Sequence, residues 1–302
     1  MADLMPATSL AAVPGRRRLT IEMAQNIERR GFAGIFAPSM FGNMSLCEGV
    51  AWNTSTIRFA TAIAPIYSRT PSDFAQSAAF MHEISGGRFS LGIGISHGPS
   101  HIRMGVTPGK PLGDTSNFVA KFRAVEGVGL LPPVLVAAMR QKMVNLAGRI
   151  GQGVIFANAA LSHMKTSLAA LPAEARADQN FLIGNMIPTC ISDDVAAARA
   201  VCRKSLIAYA FLPNYRNYWK EAGYVDEMTA IERAIEEGRR DDVPGLLTDR
   251  WLADVSLFGS ATTVRDRVGE WREAGVSTPI IVPSSTAGGQ LKAIEEMFAT
   301  FA

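Results

Sequence analysis

Short apolar runs recur along this chain, and their number limits the possible folds more than any other feature. Each run is bounded by Gly, Pro or polar residues and is separated from the next by a stretch with helical spacing, which predicts successive βα units. The runs are nearly continuous in apolar character, as expected for a parallel sheet covered by helices. Seven of them predict strands: Gly34–Ser39, Ile57–Pro65, Arg88–Ser96, Pro133–Met139, Gly153–Asn158, Phe181–Cys190 and Thr278–Pro283.

An eighth strand would close the sheet into a barrel. The only segment left for it is Ala2–Pro6 at the amino terminus, so the first strand is expected to be short or degenerate. With 302 residues, 48 % of them hydrophobic, we expect a single domain over 1–302. Two stretches exceed ordinary connections: His97–Asn117, rich in Gly and Pro and expected to be loop-like, and an insertion around 213–259 with helical pattern of its own.

Between the strands, the capping residues predict helices. Pro71 suits a first helical position, Gly86 and Gly87 suit a helix end, and Ser192 suits an amino-terminal cap. The predicted helices are Leu19–Arg30, Thr70–Ser85, Gln141–Ile150, Asp193–Tyr209 and Ser260–Ala274.

Composition excludes several classes of protein. The net charge is only +3 and the basic residues are scattered, apart from Arg16–Arg18, so nucleic acid is not an expected partner. Three widely spaced cysteines form neither a disulfide framework nor a CxxC motif, which favours the reducing cytoplasm. No signal peptide and no membrane-spanning run is visible, so no membrane association is expected.

Ligands of α/β proteins bind at the carboxyl ends of the strands, and these ends lack the usual side-chain catalysts. No Lys lies on a predicted strand, which argues against a Schiff-base enzyme, and no Asp or Glu ends one, which argues against paired carboxylates. Polar ends without such catalysts fit an enzyme whose reactive atom belongs to a bound organic cofactor.

The segment after the third run allows two other interpretations. Gly94–Gly98 matches the GxSxG pattern of a nucleophile elbow around Ser96, but the expected loop after Pro99 argues against a hydrolase. His97 and His101 have the four-residue spacing of metal ligands, but no carboxylate is near them, and no metal is expected.

The segment from Val136 to Lys142 passes from a predicted strand to a predicted helix through small residues. Free amides in the first helical turn, together with Arg140 and Lys142, would suit a phosphate. An ordinary βα turn with two solvated cations explains the same residues equally well.

Four segments together resemble the bacterial-luciferase-like flavin and deazaflavin oxidoreductases, specifically the branch that uses coenzyme F420. The run SGGR-x-x-LGIG is the most specific part, and the carboxyl-terminal half of the chain matches only in general layout. The segments are Ile57–Pro71 (IRFATAIAPIYSRTP), Ile84–His97 (ISGGRFSLGIGISH), Met104–Arg123 (MGVTPGKPLGDTSNFVAKFR) and Pro133–Asn158 (PVLVAAMRQKMVNLAGRIGQGVIFAN).

The resemblance implies a luciferase-like (β/α)8 TIM barrel, often a homodimer, that holds F420 at the carboxyl ends of its strands. Relatives have a non-prolyl cis peptide behind the cofactor ring, and Ala62 and Ile63 occupy the matching positions. The positions implied to contact the cofactor are Ala62, Ile63, Tyr67, Arg69, Gly94, Ile95, Ser96, Ala137, Ala138, Met139, Arg140, Phe156, Ala157 and Asn158.

The resemblance also implies the chemistry: hydride transfer between C5 of the deazaflavin and a small organic substrate. His97 is the expected general acid or substrate orienter, although a loop histidine that caps carbonyl groups fits as well. Ser39 is a second catalytic candidate because many relatives place Glu or His at its position. Tyr67 could instead be packing and Arg69 a surface ion pair. Two alternatives stay open, an FMN-dependent monooxygenase and a non-catalytic flavin-binding barrel.

Overall fold

The computed structural model describes residues 5–39 and 42–301, in which strands and helices alternate as the apolar runs predict. No helix in this part of the chain is long and apolar enough to cross a bilayer. The strand segments are β1 (Ala7–Ser9), β2 (Ile35–Ala37), β3 (Phe59–Thr61), β4 (Ala64–Pro65), β5 (Phe89–Gly94), β6 (Val134–Ala137), β7 (Gly153–Ala157), β8 (Leu182–Ile191), β9 (Leu257–Gly259) and β10 (Thr278–Ser284).

The helices cover the connections between the strands, and two short 3-10 turns at Leu161–His163 and Arg240–Asp242 accompany them. They are α1 (Arg17–Arg29), α2 (Asn43–Asn53), α3 (Pro71–Ile84), α4 (Gly98–Met104), α5 (Pro111–Arg123), α6 (Gln141–Ile150), α7 (Met164–Ala169), α8 (Ala173–Ala177), α9 (Val195–Ala210), α10 (Pro213–Glu221), α11 (Val225–Glu236), α12 (Val243–Leu246), α13 (Asp249–Val255), α14 (Ala261–Glu273) and α15 (Gln290–Phe301).

The described residues form two compact units, of which the first takes in the segments Met1–Ile155 and Ala170–Gly184. Its strands are parallel and follow the order β1, β2, β3, β5, β6, β7. The registers pair Ile35 with Phe59 and Phe59 with Phe89, so the rings of the last two residues contact each other in the core, tilted by 39° with their centroids 5.4 Å apart. The expectation of one domain over 1–302 stays a prediction.

At the amino ends of β3 and β5, a single arginine side chain hydrogen-bonds to the residues that precede both strands. The Arg88 guanidinium donates five hydrogen bonds, to main-chain carbonyls and to the hydroxyl of Thr54. Glu28 on α1 complements it, because its Oε1 accepts from three successive main-chain N–H groups, those of Ser55, Thr56 and Ile57. Burial acts to raise the pKa of Glu28, but these hydrogen bonds outweigh it and lower that pKa.

The second unit takes in Phe156–Ala169 and Asn185–Ala302. Within it β8 pairs in parallel with β9, with Thr189 opposite Leu257, and also pairs with β10. The insertion around 213–259 contributes helices with a buried aromatic core, in which the Trp219 and Trp251 rings pack edge to face with centroids 4.8 Å apart.

Three details correct the expectations from the sequence. The first strand is formed by Ala7–Ser9, with Thr8 paired to Ile35, so it is as short as expected but follows the predicted segment, whose residues 2–4 lie outside the described chain. The stretch 97–117 is largely helical, because Pro99 occupies the first turn of α4, where proline is well tolerated. The insertion also contains β9, whose three residues are too few to stand out as an apolar run.

Candidate active site at the strand ends

At the carboxyl ends of the first unit's strands, small residues bring three strands close together. Pro65 of β4 pairs with Gly94 of β5. A Cβ atom added at Gly94 would lie 3.0 Å from the Ala137 Cβ and 3.0 Å from the Ile63 Cγ1. Such a contact is tighter than ordinary van der Waals packing, so only glycine lets the main chain of β5 approach Ile63 and Ala137 this closely.

The main chain behind this surface has the predicted irregularity, since the peptide bond between Ala62 and Ile63 is cis. Ser39, which follows β2, directs its hydroxyl at Ile63, and Oγ donates to the Ile63 carbonyl at 2.5 Å. The Asn43 side chain at the start of α2 donates to the same carbonyl at 3.0 Å. Ser39 therefore binds the main chain of Ile63, and its catalytic role stays a prediction.

The turn from β5 into α4 places two histidines beside the same surface. Ser96 has a φ of 62°, in the left-handed region, and the imidazole of His97 is hydrogen-bonded to the main chain of Ser96. Burial lowers the pKa of His97, and the charge of His101 lowers it further. The Nε2 atom of His101 lies 2.5 Å from the Ile95 carbonyl oxygen.

This turn joins a strand sharply to a helix, so the loop-like geometry that argued against a nucleophile elbow is wrong. An elbow also needs a histidine on its serine. In this turn the His97 imidazole bonds to the main chain of Ser96, and the His101 imidazole bonds to the Ile95 carbonyl.

Tyr67 and Arg69 both have partners within the protein. The Tyr67 hydroxyl donates to Asp114 Oδ2 at 2.6 Å, and burial together with this carboxylate raises the pKa of Tyr67. The main-chain N–H of Gly109 donates to the same oxygen at 2.8 Å. Arg69 makes an exposed ion pair with Asp73, at 3.3 Å. The proposed cofactor contacts of these two residues stay predictions.

The predicted anion site lies where β6 leads into α6, within the same unit. Ala137 ends the strand, Ala138 is buried, and Arg140 is the amino-terminal cap residue without a capping side chain. The first-turn amides of α6 thus lack a capping side chain, and they lie beside the charges of Arg140 and Lys142. The structure brings Ala137, the first residue of this segment, together with Gly94 and Ile63.

Three predicted contacts, Phe156, Ala157 and Asn158, belong to the second unit. Asn158 has a φ of 57°, and its carbonyl accepts from the indole N–H of Trp219 at 3.0 Å. Its Nδ2 atom and that of Asn185 on β8 are buried, and neither has a hydrogen-bond partner among the described residues. Phe156 is fully buried by the protein itself.

Sequence reasoning misses the residues that support the candidates. Asn43, Asp114 and Asn185 each bond to a residue twenty or more positions away, so no local pattern reveals them. Asn43 is the first residue of α2 after the cap residue Gly42, and Asn is favoured at the cap and not after it, so its position carries no signal either.

Comparison with known proteins gives the fold first. The F420-dependent tetrahydromethanopterin reductase of Methanopyrus kandleri, a solved structure, superposes with a TM-score of 0.77 and 18 % identity over 97 % of each chain. This likeness shows that the chain has the predicted fold, a closed eight-stranded parallel barrel surrounded by helices.

The family follows from the sequence comparison. The model of the luciferase-like monooxygenases matches residues 5–278, so the chain belongs to that family and is one of its enzymes. A putative coenzyme F420-dependent oxidoreductase of Mycobacterium tuberculosis is 25 % identical, over 87 % of this chain and 90 % of that protein. The 5,10-methylenetetrahydromethanopterin reductase of Methanolobus tindarius is 26 % identical, over 90 % and 92 %.

Proposed function

We propose that this protein is an F420-dependent oxidoreductase that moves a hydride between C5 of the deazaflavin and a small organic substrate. The observation that carries the proposal is the close approach of three strand ends at Gly94, where a single added carbon would meet Ile63 and Ala137 at 3.0 Å. The names of the M. tuberculosis and M. tindarius relatives support the same class of chemistry.

The residues present fit this cofactor. Its flat ring requires main chain and small side chains beside it, and Gly94 and Ala137 at the ends of β5 and β6 supply them. Its phosphate and acidic tail require amide donors and cations, which Met139, Arg140 and the start of α6 supply. When bound, F420 would supply a carbon that gives or takes a hydride.

His97 is the proposed proton donor, acceptor or substrate orienter. Because burial lowers its pKa, the imidazole is neutral at physiological pH and can accept or donate a hydrogen bond. Its hydrogen bond to the Ser96 main chain orients the imidazole ring. This arrangement favours orientation and proton acceptance over the donation of a proton by a charged imidazole.

An FMN-dependent monooxygenase is the second candidate, since the matching family model describes luciferase-like monooxygenases. Titrating the purified protein with F420 and with FMN, while following the fluorescence of each, separates the two. We expect saturable F420 binding and little FMN binding. Tight binding of FMN alone would favour the monooxygenase, and binding of neither would favour a non-catalytic barrel.

We also propose that the protein acts as a homodimer. Trp52 on α2 is 65 % exposed and Phe80 on α3 is 47 % exposed, and their ring centroids lie 6.3 Å apart. Exposed aromatic pairs of this kind are common at protein interfaces. We expect light scattering to give the mass of two chains, and Trp52→Glu to reduce it to one.

The proposed location is the cytoplasm. All three cysteines, Cys47, Cys190 and Cys202, are free thiols in the structure, which fits a reducing compartment. Fractionation of cells that produce the protein, with western blotting of each fraction, tests the location.

A further inference from the structure

Ile63 is held by side chains where its neighbours are held by the sheet. Strand β3 ends at Thr61 and β4 begins at Ala64, so Ile63 lies between two strand segments. Its N–H donates to the Ser39 hydroxyl at 3.3 Å, and its carbonyl accepts from the same hydroxyl at 2.5 Å. One serine thus binds both main-chain groups of one residue.

Asn43 gives the Ile63 carbonyl a second donor, and its amide orientation is fixed. Its Oδ1 accepts from the main-chain N–H of Met44 at 2.9 Å, which leaves Nδ2 to donate to Ile63 at 3.0 Å. Asn43 is buried, with only 9 % of the residue exposed. A buried amide with both ends bonded has one stable orientation.

The Ile63 side chain packs directly against the position where a side chain on Gly94 would stand. The place where a Cβ would stand on Gly94 lies 3.0 Å from Ile63 Cγ1 and 3.1 Å from Ile63 Cδ1. A shift of the Ile63 main chain by a few tenths of an ångström would therefore alter the surface on which the proposed function depends.

We infer that Ser39 and Asn43 are positioning residues for the cofactor surface, and that they act through the main chain of Ile63. The inference rests on the proposed function and gives Ser39 a role other than acid, base or nucleophile. Loss of either residue should weaken cofactor binding even without any contact between that residue and the substrate.

The first test needs no cofactor. Hydrogen exchange, followed by mass spectrometry, is compared for the wild-type protein, Ser39→Ala and Asn43→Ala in peptides that cover residues 59–66. Exchange of these amides should become faster in both variants. Ser68→Ala is the matched control, because its Oγ also donates to a strand-end carbonyl, that of Pro65 at 2.8 Å, without touching Ile63. Unchanged exchange in both variants would overturn the inference, whatever the protein binds.

The second test measures F420 itself. Ser39→Ala and Asn43→Ala should each bind F420 about tenfold more weakly and shift the absorption maximum of the bound cofactor, whereas Ser39→Thr, which keeps the hydroxyl, should restore both. Equal affinity and an equal spectrum in all variants would overturn the inference while leaving the proposed function intact. Failure of the wild-type protein to bind F420 would overturn the proposed function and leave the hydrogen-exchange test standing.

Discussion

The two ends of the strands in the first unit are built on opposite principles. At the amino ends, Arg88 and Glu28 together satisfy a group of main-chain carbonyls and N–H groups, including those of Ile57. At the carboxyl ends, the side chains of Ser39 and Asn43 hydrogen-bond to the Ile63 carbonyl, and Ser96 lies in the left-handed region. Gly94 has no room for a side chain there. The first end is saturated with hydrogen bonds, and the second has close main-chain packing and a helix start without a capping side chain.

The difference teaches that the most recognisable motif need not mark the active end. In the run SGGR-x-x-LGIG, Arg88 lies at the amino end of β5, where its guanidinium binds main-chain carbonyls of the fold. Gly94 lies at the carboxyl end of the same strand. Stability and binding should therefore respond to different residues of one motif.

The largest expected effect is on stability, at the saturated end. Arg88→Ala removes five hydrogen bonds and leaves carbonyl groups without donors, so the free energy of unfolding should fall by about 3 kcal/mol. Urea denaturation measures the change, and Arg58→Ala, an exposed arginine at the same end, is the control. A loss no larger than that of the control would contradict the role given to Arg88.

The next largest effect is on F420 binding, at the carboxyl ends of the strands. Gly94→Ala places a methyl group 3.0 Å from Ile63 and Ala137, and we expect F420 affinity to fall about tenfold or more, with a stability loss of about 1 kcal/mol. Gly113→Ala, whose added carbon meets nothing within 4 Å, should change neither affinity nor fold. Full affinity in Gly94→Ala would move the cofactor away from this surface.

A charge at the start of α6 should separate binding from stability by sign. Gln141→Glu puts a negative charge in the first turn, which stabilises the helix by about 0.5 kcal/mol but repels a bound phosphate. We expect a slightly higher melting temperature together with several-fold weaker F420 binding. If binding and melting temperature rise together, no anion lies at this helix start.

The smallest effect is the pH dependence of His97. Burial lowers its pKa below 6.5, the value of a free histidine, and the charges of His101 and Arg103 add to the shift, so the unfolded chain takes up the proton first as pH falls. The free energy of unfolding should decrease as pH falls below 6.5 and level off below the folded-state pKa. His97→Gln should flatten this part of the profile, and an identical slope in the variant would show that other groups cause it.

Much of the fold could be predicted from the sequence because its signals are local. The continuous apolar runs locate the strands, and the caps at Thr70 and Ser260 each accept an N–H three residues on, as cap residues do. Strand β1 is harder, since Ala7–Ser9 has only three residues and two of them are polar. Helix α4 is missed because Pro99 has the same composition signal in a loop and in a first helical turn.

The candidate site is less predictable because its contacts are not local. The resemblance supplies the positions Ile63 and Gly94, but the sequence does not show that Ser39 bonds to a residue 24 positions away. Nor does it show that Asp114, 47 positions along the chain, takes the Tyr67 hydroxyl. Such pairs depend on how the strands are stacked side by side.

The central claim is that F420 binds at the carboxyl ends of the first unit's strands. Hydrogen exchange with and without F420 tests it on the wild-type chain. We expect slower exchange in peptides covering 62–66, 94–97 and 137–143, and no change in peptides covering 55–58 and 85–88. Protection at the amino ends, or at neither end while F420 is bound, would contradict the account.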